Sequence, residues 1–91
     1  MESEVRDNPE EQRFELVVDG QRAEAFYRVD GKVITFMHTD VPKVLEGRGV
    51  ASRLLAGALA LVRARGLKVR AECPFAQAYL KKHTEYADLL V

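Results

Sequence analysis

The sequence predicts a mixed α/β (α+β) fold: an antiparallel three-strand meander, a glycine loop, a long helix, a parallel strand and a C-terminal helix. Three observations predict it. Apolar residues alternate along residues 13–40, with Asp19-Gly20 and Asp30-Gly31 as tight-turn signals at the two joins. From Val50 onward the apolar spacing changes to three and four residues, the period of a helix. Between the two regimes runs Val41-Pro42-Lys43-Val44-Leu45-Glu46-Gly47-Arg48-Gly49, a loop whose glycines lead straight into the helical pattern.

Met1 to Gln12 is charged, contains Pro9 and lacks periodicity, so residues 1–12 read as a flexible acidic tail and residues 13–91 as one domain. Arg13 to Val18 puts Phe14, Leu16 and Val18 on one side. Gln21 to Val29 does the same with Ala23, Ala25, Tyr27 and Val29. Lys32 to Asp40 returns antiparallel, and Pro42 ends it because proline has no ladder donor. Val50, Leu54, Leu55, Ala58, Leu61 and Val62 then make one stripe on a helix from about Gly49 to Arg65, with Gly66 as its C-terminal cap. Leu67 to Glu72 is a short strand. Its connection through a helix makes it parallel to Lys32–Asp40, by a right-handed crossover. Pro74 suits the first turn of a last helix, about Pro74 to Lys82.

The chain has 91 residues, 47% of them hydrophobic, which fits one small globular domain with a modest core. Its 14 basic and 14 acidic residues cancel, so no overall field favours nucleic acid or an anionic membrane. The charges are segregated, however. Lys43 to Arg70 carries seven bases against one acid, Glu46. A basic face around a glycine loop suits an anionic ligand; a solvated helix face explains Arg53, Arg63 and Arg65 equally well. One cysteine forms no intramolecular disulfide, no secretory signal is evident, and the apolar run Leu54 to Val62 is too short to span a bilayer. These features lead us to expect a cytoplasmic protein, a monomer or weak dimer, without metal, since no Cys/His cluster has ligand spacing.

The loop carries the first functional signal. A helix start has unpaired N–H groups and the positive end of the helix dipole. Gly47 and Gly49 remove side chains that would block a bulky anion, so the turn can wrap a phosphate or pyrophosphate. Glu46, Arg48, Gly49 and Ala51 then follow the Gln/Arg-x-x-Gly-x-Gly/Ala pyrophosphate pattern, with Glu46 in the Gln/Arg place. His38-Thr39-Asp40-Val41 precedes the loop. Cys73-Pro74-Phe75, Tyr79 and His83-Thr84-Glu85-Tyr86 follow it. Over residues 13–90 this set resembles the GNAT superfamily of N-acetyltransferases, in particular its smallest single-domain members.

The resemblance implies a minimal GNAT-like fold and acetyl-CoA (coenzyme A) as co-substrate. It implies acetyl transfer to an unidentified amine, with a protein or peptide amine among the options. The alternative is a non-catalytic acyl-CoA-binding or interaction module. By the same resemblance, Asp40 and Val41 lie beside the pantetheine arm, and the amides of Gly47, Arg48, Gly49, Val50, Ala51 and Ser52 hold the pyrophosphate. Relatives have about two helices after the first strand. Here Asp19-Gly20-Gln21 replaces them, which should leave the acceptor site open.

Three side chains are candidates for catalysis. His38 shares a strand face with Asp40, and an imidazole takes up protons near neutral pH, so it is a candidate base; a strand histidine held by its neighbours is the other reading. Cys73 stands where a helix start lowers thiol pKa, as an acyl-accepting nucleophile or as a small residue lining the cofactor channel. Tyr79 is a candidate acid for the departing thiolate. It falls one residue short of the family's tyrosine, about 100° around a helix, so packing against the sheet is its alternative role.

Overall fold

The structure, a computed structural model, describes residues 5–91. One five-stranded sheet runs in chain order: β1 (Arg6–Asn8), β2 (Arg13–Val18), β3 (Gln21–Asp30), β4 (Val33–Asp40) and β5 (Lys68–Ala71). The first four are antiparallel neighbours, and β4–β5 is parallel. Helix α1 (Val50–Ala64) connects β4 to β5, and α2 (Pro74–Lys82) follows β5. The predicted meander, loop, helix, parallel strand and last helix are all present, in that order.

The expected tail is different. Met1 to Glu4 lie outside the described residues, but Arg6–Asn8 pairs with Arg13–Glu15 and adds a strand to the meander. Polar contacts build it. Pro9 to Gln12 turn the chain, with Gln12 in the left-handed region, and Asn8 donates to Glu15. Tyr27 Oη donates to Asp7 Oδ1 at 2.5 Å, and Arg65 Nη1 donates to Asp7 Oδ2 at 3.0 Å, tying β1 to β3 and to the end of α1. Three polar residues show no hydrophobic period, so no pattern announces this strand.

Alternation decides which face meets α1. Phe14, Leu16, Ala23, Ala25, Tyr27, Ile34 and Phe36 are buried beneath Val50, Leu54, Leu55, Ala58, Leu59 and Val62. Each fully buried large apolar side chain contributes about 1.5–3 kcal/mol. At Gly57 the helix comes so close to β1 that an added Cβ would lie 2.6 Å from Val5 Cβ. The helix stops in a Schellman motif: Gly66 at φ 71°, Leu67 N–H to Val62 O at 3.2 Å and Gly66 N–H to Arg63 O at 3.1 Å. Thr35 points away from Ile34 and Phe36 and is buried too, so the β4–β5 end, where α2 packs, is covered on both faces. The face of β2 and β3 opposite α1 stays open, with Val17, Arg22 and Arg28 exposed. After α2 a turn of 3-10 helix, Thr84–Leu89, brings Leu90 beside Val69 in one parallel bridge.

Candidate functional site

The site begins where β4 loses a neighbour. The strand pairs with β3 as far as Asp40, opposite Glu24, but with β5 only as far as Phe36, opposite Ala71. The Phe36 carbonyl marks the fork. It accepts both Glu72 N–H, at 2.8 Å, and Cys73 N–H, at 3.1 Å, as the chain turns away into α2. One residue further, the register with β3 shifts: Tyr27 faces Phe36 while Phe26 faces His38, so Met37 is the extra residue of a bulge. From Met37 to Asp40, β4 therefore has a strand on one edge only.

Pro42 then directs the chain into a 3-10 turn, Lys43–Leu45, which Leu45 anchors in the core. Gly47 and Gly49 have φ values of 81° and 74°, the left-handed backbone that glycine adopts without strain. A Cβ on either would meet nothing within 4 Å. Crowding inside the protein thus does not require these glycines; the backbone sign does, and the space they face is free. Gly49 is the N-cap of α1, and no side chain caps it. The first bond of the helix ladder runs from Arg53 N–H to Gly49 O, at 3.1 Å, so the amides of Val50, Ala51 and Ser52 precede it.

These elements enclose a hollow of about 290 Å³, lined by Val41, residues 45–47, residues 49–52 and Phe75. Six of the residues expected to hold the cofactor meet there: Val41, Gly47, Gly49, Val50, Ala51 and Ser52. Arg48 does not line the hollow. Its guanidinium pairs with Asp19 Oδ2 at 2.9 Å, across to the β2–β3 turn. Asp40 is exposed just before the hollow. Cys73 is buried, the N-cap of α2, with Sγ 3.5 Å from Thr39 Oγ1.

His38 is exposed, and its ring stacks on Phe26 with centroids 4.6 Å apart. Thr39, the next residue, meets Cys73, and successive strand side chains leave on opposite sides. The His38 side chain therefore leaves β4 on the side away from Cys73, and the two form no cysteine–histidine pair. Tyr79 is buried on α2, stacked on His83 at 4.1 Å, and burial pushes its phenol above the usual tyrosine range, with Tyr86 and Glu85 adding to the shift. It does not line the hollow.

Two residues without an assigned role in the sequence reading prove to be part of the site. Phe75 forms a wall of the hollow from the first turn of α2, and Thr39 carries the contact to Cys73. Phe75 had a signal, since it directly follows a helix-starting proline after a strand. Thr39 stood in the His38-Thr39-Asp40-Val41 motif, but its contact to Cys73, 34 positions away, had no local signal.

Comparison with known proteins agrees with this geometry. Residues 13–89 match the pattern of the GCN5-related N-acetyl-transferase family. Protein NATD1 of Mus musculus is 32% identical over 82 residues, 87% of this chain and 74% of that protein. Protein NATD1 of Homo sapiens is 36% identical over 63 residues, 68% of this chain and 56% of that protein. The NMR solution structure of a GCN5-like protein from Staphylococcus aureus superposes with a TM-score of 0.73 and 34% identity, over 97% of this chain and 87% of the other.

Proposed function

The chain belongs to the GCN5-related N-acetyl-transferase family, and from that premise we propose that it transfers the acetyl group of acetyl-CoA to an amine. One observation carries the reading. The uncapped N-terminus of α1 opens on a hollow whose lining includes Val41, the residue that directly follows the stretch of β4 beyond its pairing with β5. A helix start with free amides suits a pyrophosphate, and left-handed glycines give a bulky anion room to approach. The edge of Met37 to Asp40 offers backbone donors and acceptors to the amides of a pantetheine arm, as a strand edge does to an added strand. Acetyl-CoA would supply the activated thioester; the chain's own residues would bind, orient and deprotonate.

In this reading His38 is the base. It is exposed, its ring stacks on Phe26, and among the described residues its side chain has no hydrogen bond. The acceptor reaches it from solvent, because the His38 side chain is exposed and only the Asp19-Gly20 turn joins β2 to β3. Tyr79 favours the second reading, a binding module without turnover, since its phenol is packed against His83 and does not face the hollow.

Calorimetry with acetyl-CoA and release of free thiol on adding amines separate the two. Binding with thiol release is expected, and His38→Ala should lower transfer roughly 10²-fold, the scale of general base catalysis, while acetyl-CoA affinity stays within a few-fold. Binding without thiol release would leave the module reading, and no binding at millimolar ligand would end both.

A further inference from the structure

We propose that the acceptor is an alkylamine that carries a second positive charge, recognised by Asp40 beside the Phe26–His38 stack; this rests on the acetyl-transfer reading above. The open sheet face presents two rows across its strands. Arg13, Phe26 and His38 face one another in the first, and Glu15, Glu24 and Asp40 in the second.

The first row is already full. The Arg13 guanidinium sits 6.0 Å from the Phe26 ring centre and His38 stacks at 4.6 Å, so Phe26 holds the imidazole and has little face left for a ligand. In the second row, like charges stand directly opposite, which is unfavourable unless cations intervene. Arg13 reaches Glu15 at 2.7 Å and Glu24 at 3.4 Å, and Arg22 reaches Glu24 at 2.9 Å. Among the described residues, no cation pairs with Asp40. It is the terminal carboxylate of the row, exposed, two residues from His38 on the same strand face, and on the part of β4 that lacks β5.

A carboxylate there attracts ammonium groups, but the reacting amine must lose its proton before it attacks. In the transfer, one proton goes from the ammonium to His38, the amine nitrogen bonds to the acetyl carbon, the carbon–sulfur bond breaks, and the second proton of that nitrogen passes to the departing thiolate, leaving a neutral amide and the free thiol. A monoamine thus gives up the charge that Asp40 attracts just as the transition state forms. A second cation keeps it, and only interactions that persist into the transition state speed the reaction. Free diamines and peptides with adjacent lysines share this chemistry.

The test compares 1,5-diaminopentane with pentylamine, and a Lys-Lys peptide with a Lys-Gln peptide, as acceptors at low salt. The dication in each pair should have a kcat/KM higher by roughly fivefold, the upper range for one exposed ion pair, and the margin should shrink as salt rises. Asp40→Asn should bring the ratio near one, and Asp40→Lys should invert it. A preference in only one pair identifies the free or the peptide source. Equal rates within both pairs, or a ratio that Asp40→Asn leaves untouched, overturn the proposal. A second readout does not need turnover. In CoA-loaded protein, 1,5-diaminopentane should shift the amide resonances of His38 and Asp40, and Asp40→Asn should abolish the shift. Shifts without any thiol release would refute acetyl transfer and keep the cation seat, whereas absent shifts refute the seat.

Discussion

The two ends of this sheet treat polar groups in opposite ways. At the β1 edge they are used up internally: Tyr27 donates to Asp7, Arg65 closes on the same carboxylate, and Asn8 and Arg13 share Glu15. The far end of β4 leaves them open. There the helix start lacks a side-chain cap, the strand edge has no partner beyond Phe36, and two glycines face empty space. The difference separates groups that hold the fold from groups that, in the proposed function, a ligand would meet.

The comparison breaks most visibly at Gly49. Gly49→Glu puts a carboxylate at the mouth of the hollow and a Cβ on a left-handed backbone, which alone costs about 1–2 kcal/mol. Acetyl-CoA binding should disappear from calorimetry while circular dichroism retains the folded spectrum. Retained binding would show that the hollow is not the pyrophosphate seat.

The closed end answers to pH instead. Burial, and next the bond to Asp7, push the Tyr27 phenol up to about 12. The folded protein thus holds that proton more tightly than the unfolded chain, whose tyrosine titrates near 10. The stabilisation is complete below pH 10 and is lost as pH rises through about 12, a decline on the order of 2 kcal/mol. Tyr79 is raised as well, so the measurement is the difference between wild type and Tyr27→Phe in urea titrations from pH 9 to 12. Parallel pH curves for the two proteins would rule out Tyr27 as the source.

The smallest effect is expected at Gly57. Alanine there gains up to about 1 kcal/mol of helix propensity, but its Cβ collides with Val5. The two contributions should nearly cancel in global stability, while the amides of Arg6 to Asn8 exchange faster as β1 is pushed off. Adding Val5→Gly, which also removes the Cβ at 2.6 Å, should restore slow exchange and expose the gain. If Gly57→Ala leaves β1 exchange unchanged, the contact is not what seats the strand.

Most of the fold was legible because its signals are local. Asp19-Gly20, Asp30-Gly31 and Gly66 each govern a turn within a few residues, and the stripe from Val50 to Val62 repeats often enough to read as a helix. The loop was legible for the same reason, and Gly47, Gly49 and the residues up to Ser52 do come together. What was hidden depends on distant partners. β1 exists through contacts to Tyr27, Glu15 and Arg65, Arg48 is drawn off by Asp19, and Cys73 meets Thr39 across the fork. Side-chain direction at those positions follows from the assembled sheet, which no short stretch of sequence encodes.

The Phe36 carbonyl, with Glu72 and Cys73 both bonded to it, has a mechanical consequence. A ligand wedged between two diverging strands pulls on the last rung of the ladder, as a blade pulls on a seam. A single bond there would let the seam run, and each broken rung would load the next. Two bonds on one oxygen act as a rivet: the load is shared, and tearing requires both to fail together. The Glu72 and Cys73 amides should then exchange with solvent in step, and a ligand can come and go at the fork without unzipping β4 from β5.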